Sequence, residues 1–241
     1  MSALHHENIT YSHNGVELEG TLVNDGQIRN RRPGVIVCHA WMGLDAYTRR
    51  RATQIARLGY NVFALDMYGK DVLAQDAEAA GKLMNPIRAD RNLMRERAQT
   101  AIKVLRGHRL TEGRNIAAVG YCFGGGVALE LARAGSDLSG VVSFHGLLDA
   151  DPKTPAKKIT AKVLALHGSE DPMVPPKQVA AFQDEMVAAK ADWQFVSYGN
   201  AMHGFSNPDA ANPKMGIEYN QLADQRSWEA MTSFLAEIFQ D

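Results

Sequence analysis

At 241 residues, with 45% hydrophobic and 22% charged side chains, the chain can bury one large core and is too apolar to be disordered. Twenty-six basic residues against 27 acidic ones give a net charge of −1, which argues against a nucleic-acid partner, because such binders carry a marked basic excess. Two cysteines in unlike surroundings make no disulfide framework, the N-terminus has no apolar signal core, and no apolar run approaches a membrane span of about 20 residues. A cytoplasmic protein without a membrane partner is therefore expected.

In chain order, alternating apolar and polar residues around 9–11 and 16–23 flank Asn14-Gly15, a strong hairpin signal, and predict an N-terminal β-hairpin. His5, His6 and His13 fall here with no metal-ligand spacing and read as surface histidines. Gly34-Val35-Ile36-Val37-Cys38 is continuously apolar, as a strand buried on both faces should be, and opens into His39-Ala40-Trp41-Met42-Gly43. A helix over 47–58, closed by Gly59, precedes a strand over 61–66. Helical patterns follow at 72–84 and 90–106. Arg88, Arg91, Arg95 and Arg97 read as a solvated helix face. Further buried-type strands are predicted at 140–146 and 162–168, a helix at 178–189, a strand at 193–198, and a last helix carrying Met231, Phe234, Leu235 and Ile238. Strands alternating with helices over residues 1–241 imply a single α/β domain with a mostly parallel central sheet and helices on both faces.

Between these elements lies Ile116-Ala117-Ala118-Val119 running into Gly120-Tyr121-Cys122-Phe123-Gly124-Gly125-Gly126, then a helical stretch. Strand, sharp turn and helix with a cysteine at the apex form a nucleophile elbow, Gly-x-Ser-x-Gly with Cys in place of Ser. A helix N-terminus beneath the sulfur favours thiolate, the reactive form. Free cysteine is more often a small core hydrophobe, which is how Cys38 reads. A dinucleotide loop is excluded because Cys122 occupies the second glycine position of that motif.

In open α/β sheets, reactive groups gather beyond the carboxyl ends of the strands. Asp171 follows the 162–168 strand and His203 follows the 193–198 strand, so nucleophile, acid and histidine come in α/β-hydrolase order. His203 is the expected base, oriented by Asp171; Glu170 is adjacent, but Asp171 directly precedes a turn proline. The two oxyanion donors are expected to be the backbone N–H groups of Phe123 and Trp41. Neighbouring residues His39, Tyr121, His145, Met173, Phe205 and Asn207 are expected to line the substrate. No metal or cofactor is implied, since no His-x-x-x-His or paired-cysteine spacing occurs.

The segments His39-Ala40-Trp41-Met42-Gly43, Ala64-Leu65-Asp66-Met67-Tyr68, Gly120-Tyr121-Cys122-Phe123-Gly124-Gly125, Asp171-Pro172-Met173-Val174-Pro175 and His203-Gly204-Phe205 give the sequence a resemblance to the dienelactone hydrolase family, nearly end to end. The resemblance implies an α/β-hydrolase fold and a Cys-His-Asp triad cleaving small esters or lactones. It departs at two positions. The family carries a glutamate directly after the position of His39, where Ala40 stands here, and a substrate-holding arginine shortly after the His-x-Phe segment, where Asn207 stands. Two other readings compete: a redox-sensing protein using Cys122 as a reactive thiol, and a thioesterase or peptidase on the same scaffold. A sensor needs neither the acid–histidine pair nor an oxyanion loop. The oligomeric state is not legible.

Overall fold

The computed structural model describes residues 4–27 and 29–240. The Asn14-Gly15 turn joins β1 (Leu4–His13) to β2 (Val16–Asp25), both residues adopting the positive φ that a two-residue hairpin turn requires. Six further strands complete the sheet: β3 (Arg32–Cys38), β4 (Asn61–Ala64), β5 (Thr111–Tyr121), β6 (Gly140–Phe144), β7 (Lys162–Gly168) and β8 (Trp193–Tyr198). Their order is β1-β2-β4-β3-β5-β6-β7-β8, parallel from β4 onward and antiparallel only along β2. This is the α/β-hydrolase fold.

Among the described residues, six α-helices cover the sheet: α1 (Ala46–Ala56), α2 (Ala77–Ala89), α3 (Arg91–Gly107), α4 (Phe123–Arg133), α5 (Pro176–Ala189) and α6 (Gln221–Ile238). Alternation along each strand splits the core in two. Val35, Val37, Val119, Val142 and Leu166 pack with Ile55 of α1 and Phe234 and Leu235 of α6. Ile36, Ala118, Val141 and Val163 pack with Ala98 of α3, Val127 of α4 and Phe182 of α5 on the other face. Aspartates cap the first three helices: the Oδ1 atoms of Asp45, Asp76 and Asp90 accept from the N–H groups of Thr48, Ala79 and Leu93.

Three expectations need correcting. The helix expected at 72–84 runs Ala77–Ala89, because Asp76 starts it and Pro86 lies in its last turn, where little ladder remains to be broken. Arg91, Arg95 and Arg97 are not a solvated face; all three are buried. Arg95 donates to the buried carboxylate of Glu130 on α4 at 2.8 Å, Arg91 pairs with Asp149 at 2.7 Å, and Arg97 donates to the Met67 carbonyl at 2.7 Å. His5 and His6 are exposed, but His13 is part-buried, 3.6 Å from Glu96.

Candidate active site

The chain runs from β3 outward to β4 and then returns to β5 on the other side of β3, so the strand order reverses between β3 and β5. A crevice opens at such a reversal. Register places Cys38 opposite Gly120, which brings the loop after β3 and the turn after β5 side by side. Cys122 sits at that turn with φ +55° and ψ −116°, a conformation that non-glycine residues rarely adopt. The strain is held by close packing. A side chain on Gly120 would collide with the Gly124 carbonyl, and one on Gly124 with the Cys38 carbonyl, so strand, helix and neighbouring loop could not close up.

The three strand-end residues meet. Nε2 of His203 lies 3.0 Å from Sγ of Cys122, and its Nδ1 lies 2.8 Å from Oδ2 of Asp171. Asp171 is buried, and its Oδ1 accepts the Met173 N–H at 2.8 Å, so the carboxylate cannot swing; Glu170 is exposed. His203 is fixed through its backbone as well. Its N–H donates to the Gly216 carbonyl at 2.9 Å, and its carbonyl accepts the Glu218 N–H at 3.1 Å. Glu218 belongs to a two-stranded ribbon, β9 (Ala211–Asn212) and β10 (Ile217–Glu218), too short to read from periodicity, and Gly216 directly precedes its second strand.

The backbone N–H groups of Phe123 and Trp41 act as donors that favour the charged form of the Cys122 sulfur. Burial alone would push the thiol up, but the facing His203 and these donors hold it below its ordinary value. Burial alone would push His203 down; the charge of the sulfur and the hydrogen bond to Asp171 outweigh it and hold the imidazole above its ordinary value. Both shifts favour a thiolate–imidazolium pair. Cys38, by contrast, is fully buried in the core with its thiol pushed far up by burial.

Residues 18–239 match the model of the dienelactone hydrolase family. The chain belongs to that family. This dienelactone hydrolase-family protein is accordingly a hydrolase of carboxylic esters or lactones. Among solved structures it is similar to a dienelactone hydrolase-like promiscuous phosphotriesterase from metagenomic libraries, with a TM-score of 0.93, 35% identity, and 98% of this chain and 99% of that one covered. It is 25% identical to a probable 2-oxo-3-(5-oxofuran-2-ylidene)propanoate lactonase of Bradyrhizobium, covering 86% of this chain and 85% of that one. It is also 25% identical to a putative carboxymethylenebutenolidase of Yersinia pestis, covering 97% and 89%.

Of the residues expected to line the substrate in this hydrolase, Met173 is 37% exposed and its N–H donates to Asp171. His39, Tyr121, His145 and Phe205 are buried; the first three end or directly follow strands β3, β5 and β6. Tyr121 stacks on Phe144 at 4.7 Å, and Phe205 meets the His145 ring edge-on at 5.0 Å. Asn207 is half-buried, and its Oδ1 accepts the Asp209 N–H at 3.1 Å, closing its own turn.

Behind His203 runs a network that sequence reading missed. His145, at φ +40°, sets its ring 5.3 Å from that of His203, with Nε2 2.8 Å from the Ser206 hydroxyl. That hydroxyl meets Tyr47 Oη at 2.8 Å, and Arg51 pairs with Asp224 at the far end. Burial and the nearby cations hold His145 well below its ordinary value, so it stays neutral. These residues come from four separate segments, and no local spacing joins them. Among the described residues, no group of three or more His, Cys, Asp or Glu is arranged to hold a metal, and no helix is long and apolar enough to cross a membrane.

Proposed function

We propose that Cys122, His203 and Asp171 form the catalytic triad, cleaving small esters or lactones through an acyl-cysteine. The observation that carries this reading is the unbroken chain Sγ–Nε2 at 3.0 Å and Nδ1–Oδ2 at 2.8 Å, with the Phe123 and Trp41 N–H groups favouring the thiolate. The thiolate attacks the substrate carbonyl carbon and forms a C–S bond, while the carbonyl electron pair moves onto oxygen. That oxygen takes over the N–H groups of Phe123 and Trp41, which are preorganised for it. The tetrahedral intermediate collapses, expelling the alkoxide, which takes its proton from His203 Nε2. In a lactone the alkoxide stays tethered to the acyl group. Water then attacks the thioester, His203 accepts its proton, and the thiolate departs. Asp171 keeps Nδ1 protonated and stabilises the imidazolium throughout.

The relatives' names, a lactonase and a carboxymethylenebutenolidase, support lactones as one substrate class. A redox sensor would require neither the aligned carboxylate nor the paired amides. A thiolate nucleophile works only where it stays reduced, which favours the cytoplasm. We take residues 1–241 as a single domain because the match to the family model spans 18–239. Intact-mass measurement during turnover of small aryl esters and lactones tests the mechanism. An acyl adduct on the wild type, absent with Cys122→Ala along with all turnover, is expected; full activity of Cys122→Ala would remove the covalent mechanism.

A further inference from the structure

His39, at the start of the loop that carries Trp41, is fully buried. Both ring nitrogens are committed to backbone. Nε2 lies 3.1 Å from the Met67 N–H, which can only donate, so Nε2 holds a lone pair and no proton. The neutral ring must then carry its proton on Nδ1, and Nδ1 donates it to the Ala40 carbonyl at 2.6 Å.

The Ala40 carbonyl shares one peptide plane with the Trp41 N–H. In a planar trans peptide these two groups point in opposite directions. Drawing the carbonyl toward His39 therefore aims the N–H the opposite way, and the Trp41 N–H is one of the donors that favour the Cys122 thiolate. The next peptide is held independently: Tyr68 Oη donates to the Trp41 carbonyl at 2.9 Å. The imidazole's own anchor is braced too, since Arg97 donates to the Met67 carbonyl at 2.7 Å. Burial holds His39 below its ordinary value, against the pull of the Ala40 hydrogen bond and of Asp66 and Asp45, the acids that face it.

We propose that His39 is a positioning residue of the oxyanion hole: as an Nδ1–H tautomer it fixes the Ala40–Trp41 peptide so that the Trp41 N–H faces the reacting oxygen. It touches neither substrate nor sulfur and acts through that peptide alone. This rests on the triad and oxyanion reading given above. His39 is thus a neutral brace against backbone reorganisation during the reaction.

Two substitutions separate the ring's two hydrogen bonds. His39→Asn keeps a donor near the place of Nδ1 and loses the acceptor for Met67. His39→Gln keeps an acceptor near the place of Nε2 and loses the donor to Ala40. Turnover of a small aryl ester and the pH profile of Cys122 alkylation by iodoacetamide are measured on both. His39→Gln should lose about a hundredfold in kcat, the usual cost of one oxyanion donor, with KM changed less than about threefold. Its alkylation midpoint should also move up, because the thiolate has lost the same N–H. His39→Asn should retain most of the wild-type kcat and midpoint. A wild-type kcat and alkylation profile in His39→Gln overturns the proposal, as does an equal loss in both variants accompanied by a lowered melting temperature.

The alkylation profile reads the N–H without any ester, so it fails only with the brace, whereas loss of the acyl adduct fails the triad reading. Nitrogen-15 histidine spectra of the wild type give a third measure that needs no variant. His39 should show protonated Nδ1 and bare Nε2 unchanged from about pH 5 to pH 9, a window that brackets the ordinary histidine value of about 6.5. The reverse tautomer, or protonation inside that window, overturns the proposal.

Discussion

Residues 39–44 contain no acid, so Cys122 faces an imidazole on one side and two backbone donors on the other, with no carboxylate from its own loop. A glutamate at position 40 would raise the cost of forming thiolate; the methyl group of Ala40 cannot. Because the thiol is held below its ordinary value, thiolate is present above that lowered value and is lost only as the pH falls through it. Cys122 should therefore be alkylated by iodoacetamide below pH 7, where an ordinary thiol, of pKa about 8.5, is slow. Ala40→Glu should move the midpoint up without unfolding the protein. A wild-type midpoint near 8.5 would refute this account of the resting state. At this scale the sequence was informative where chemistry is local: Cys122, Asp171 and His203 each sit just past a strand, and each is where its strand end implied. The roles of His39 and His145 were not legible, because a histidine after a buried strand can point toward the crevice or away from it, and only the register decides.

The ion cluster between α3 and α4 is the clearest case of an element whose surroundings override its pattern. Charged residues at helical spacing ordinarily mean solvent. Here α3 packs against α4, whose Glu130 is 1% exposed and accepts from both Arg95 and Arg133. Arg133 also pairs with Glu185 on α5, and Arg95 donates to the Thr154 carbonyl at 3.0 Å. Glu130 follows Arg95 by 35 residues, a separation that no local window bridges. Removing one member leaves buried charge uncompensated. Glu130→Gln should therefore cost about 3 kcal/mol in urea unfolding, while kcat on a small ester stays near wild type, since the cluster makes no contact with the triad. A variant as stable as wild type would mean that water reaches these arginines. The hairpin, the parallel strands and α6 were legible for the opposite reason: their periodicity and turn residues lie within single short windows.

Across the whole molecule, the fold decides what the crevice offers a substrate. Arg91 is tied to Asp149 and Arg97 to a backbone carbonyl, so neither is free to hold a carboxylate, and Asn207 closes its own turn. Exposed apolar side chains stand near the triad instead: Met173 follows the Asp171 turn, and Met215 directly precedes the glycine that holds His203. Neutral small esters should accordingly be cleaved with kcat/KM at least equal to that of their carboxylated analogues. A preference of about tenfold for the anion, roughly 1.4 kcal/mol, would reveal a cation in the crevice. The alternation of strands and helices was enough to foresee the parallel sheet. The strand order was not, because the return of the chain past β3 depends on which edges pair.

The short ribbon that grips His203 separates two jobs that a single strand would have had to share. The sheet supplies the elbow and the acid, while the base is moored by two backbone bonds, one to β10 and one to Gly216 just before it, beyond the sheet altogether. Backbone bonds are indifferent to side-chain identity. The surface stretch from 208 to 215 can therefore drift in composition and outline, reshaping one lip of the crevice, while the imidazole keeps its aim. For a lineage under pressure to accept new compounds, that stretch is a place where novelty can accumulate without dismantling the machinery.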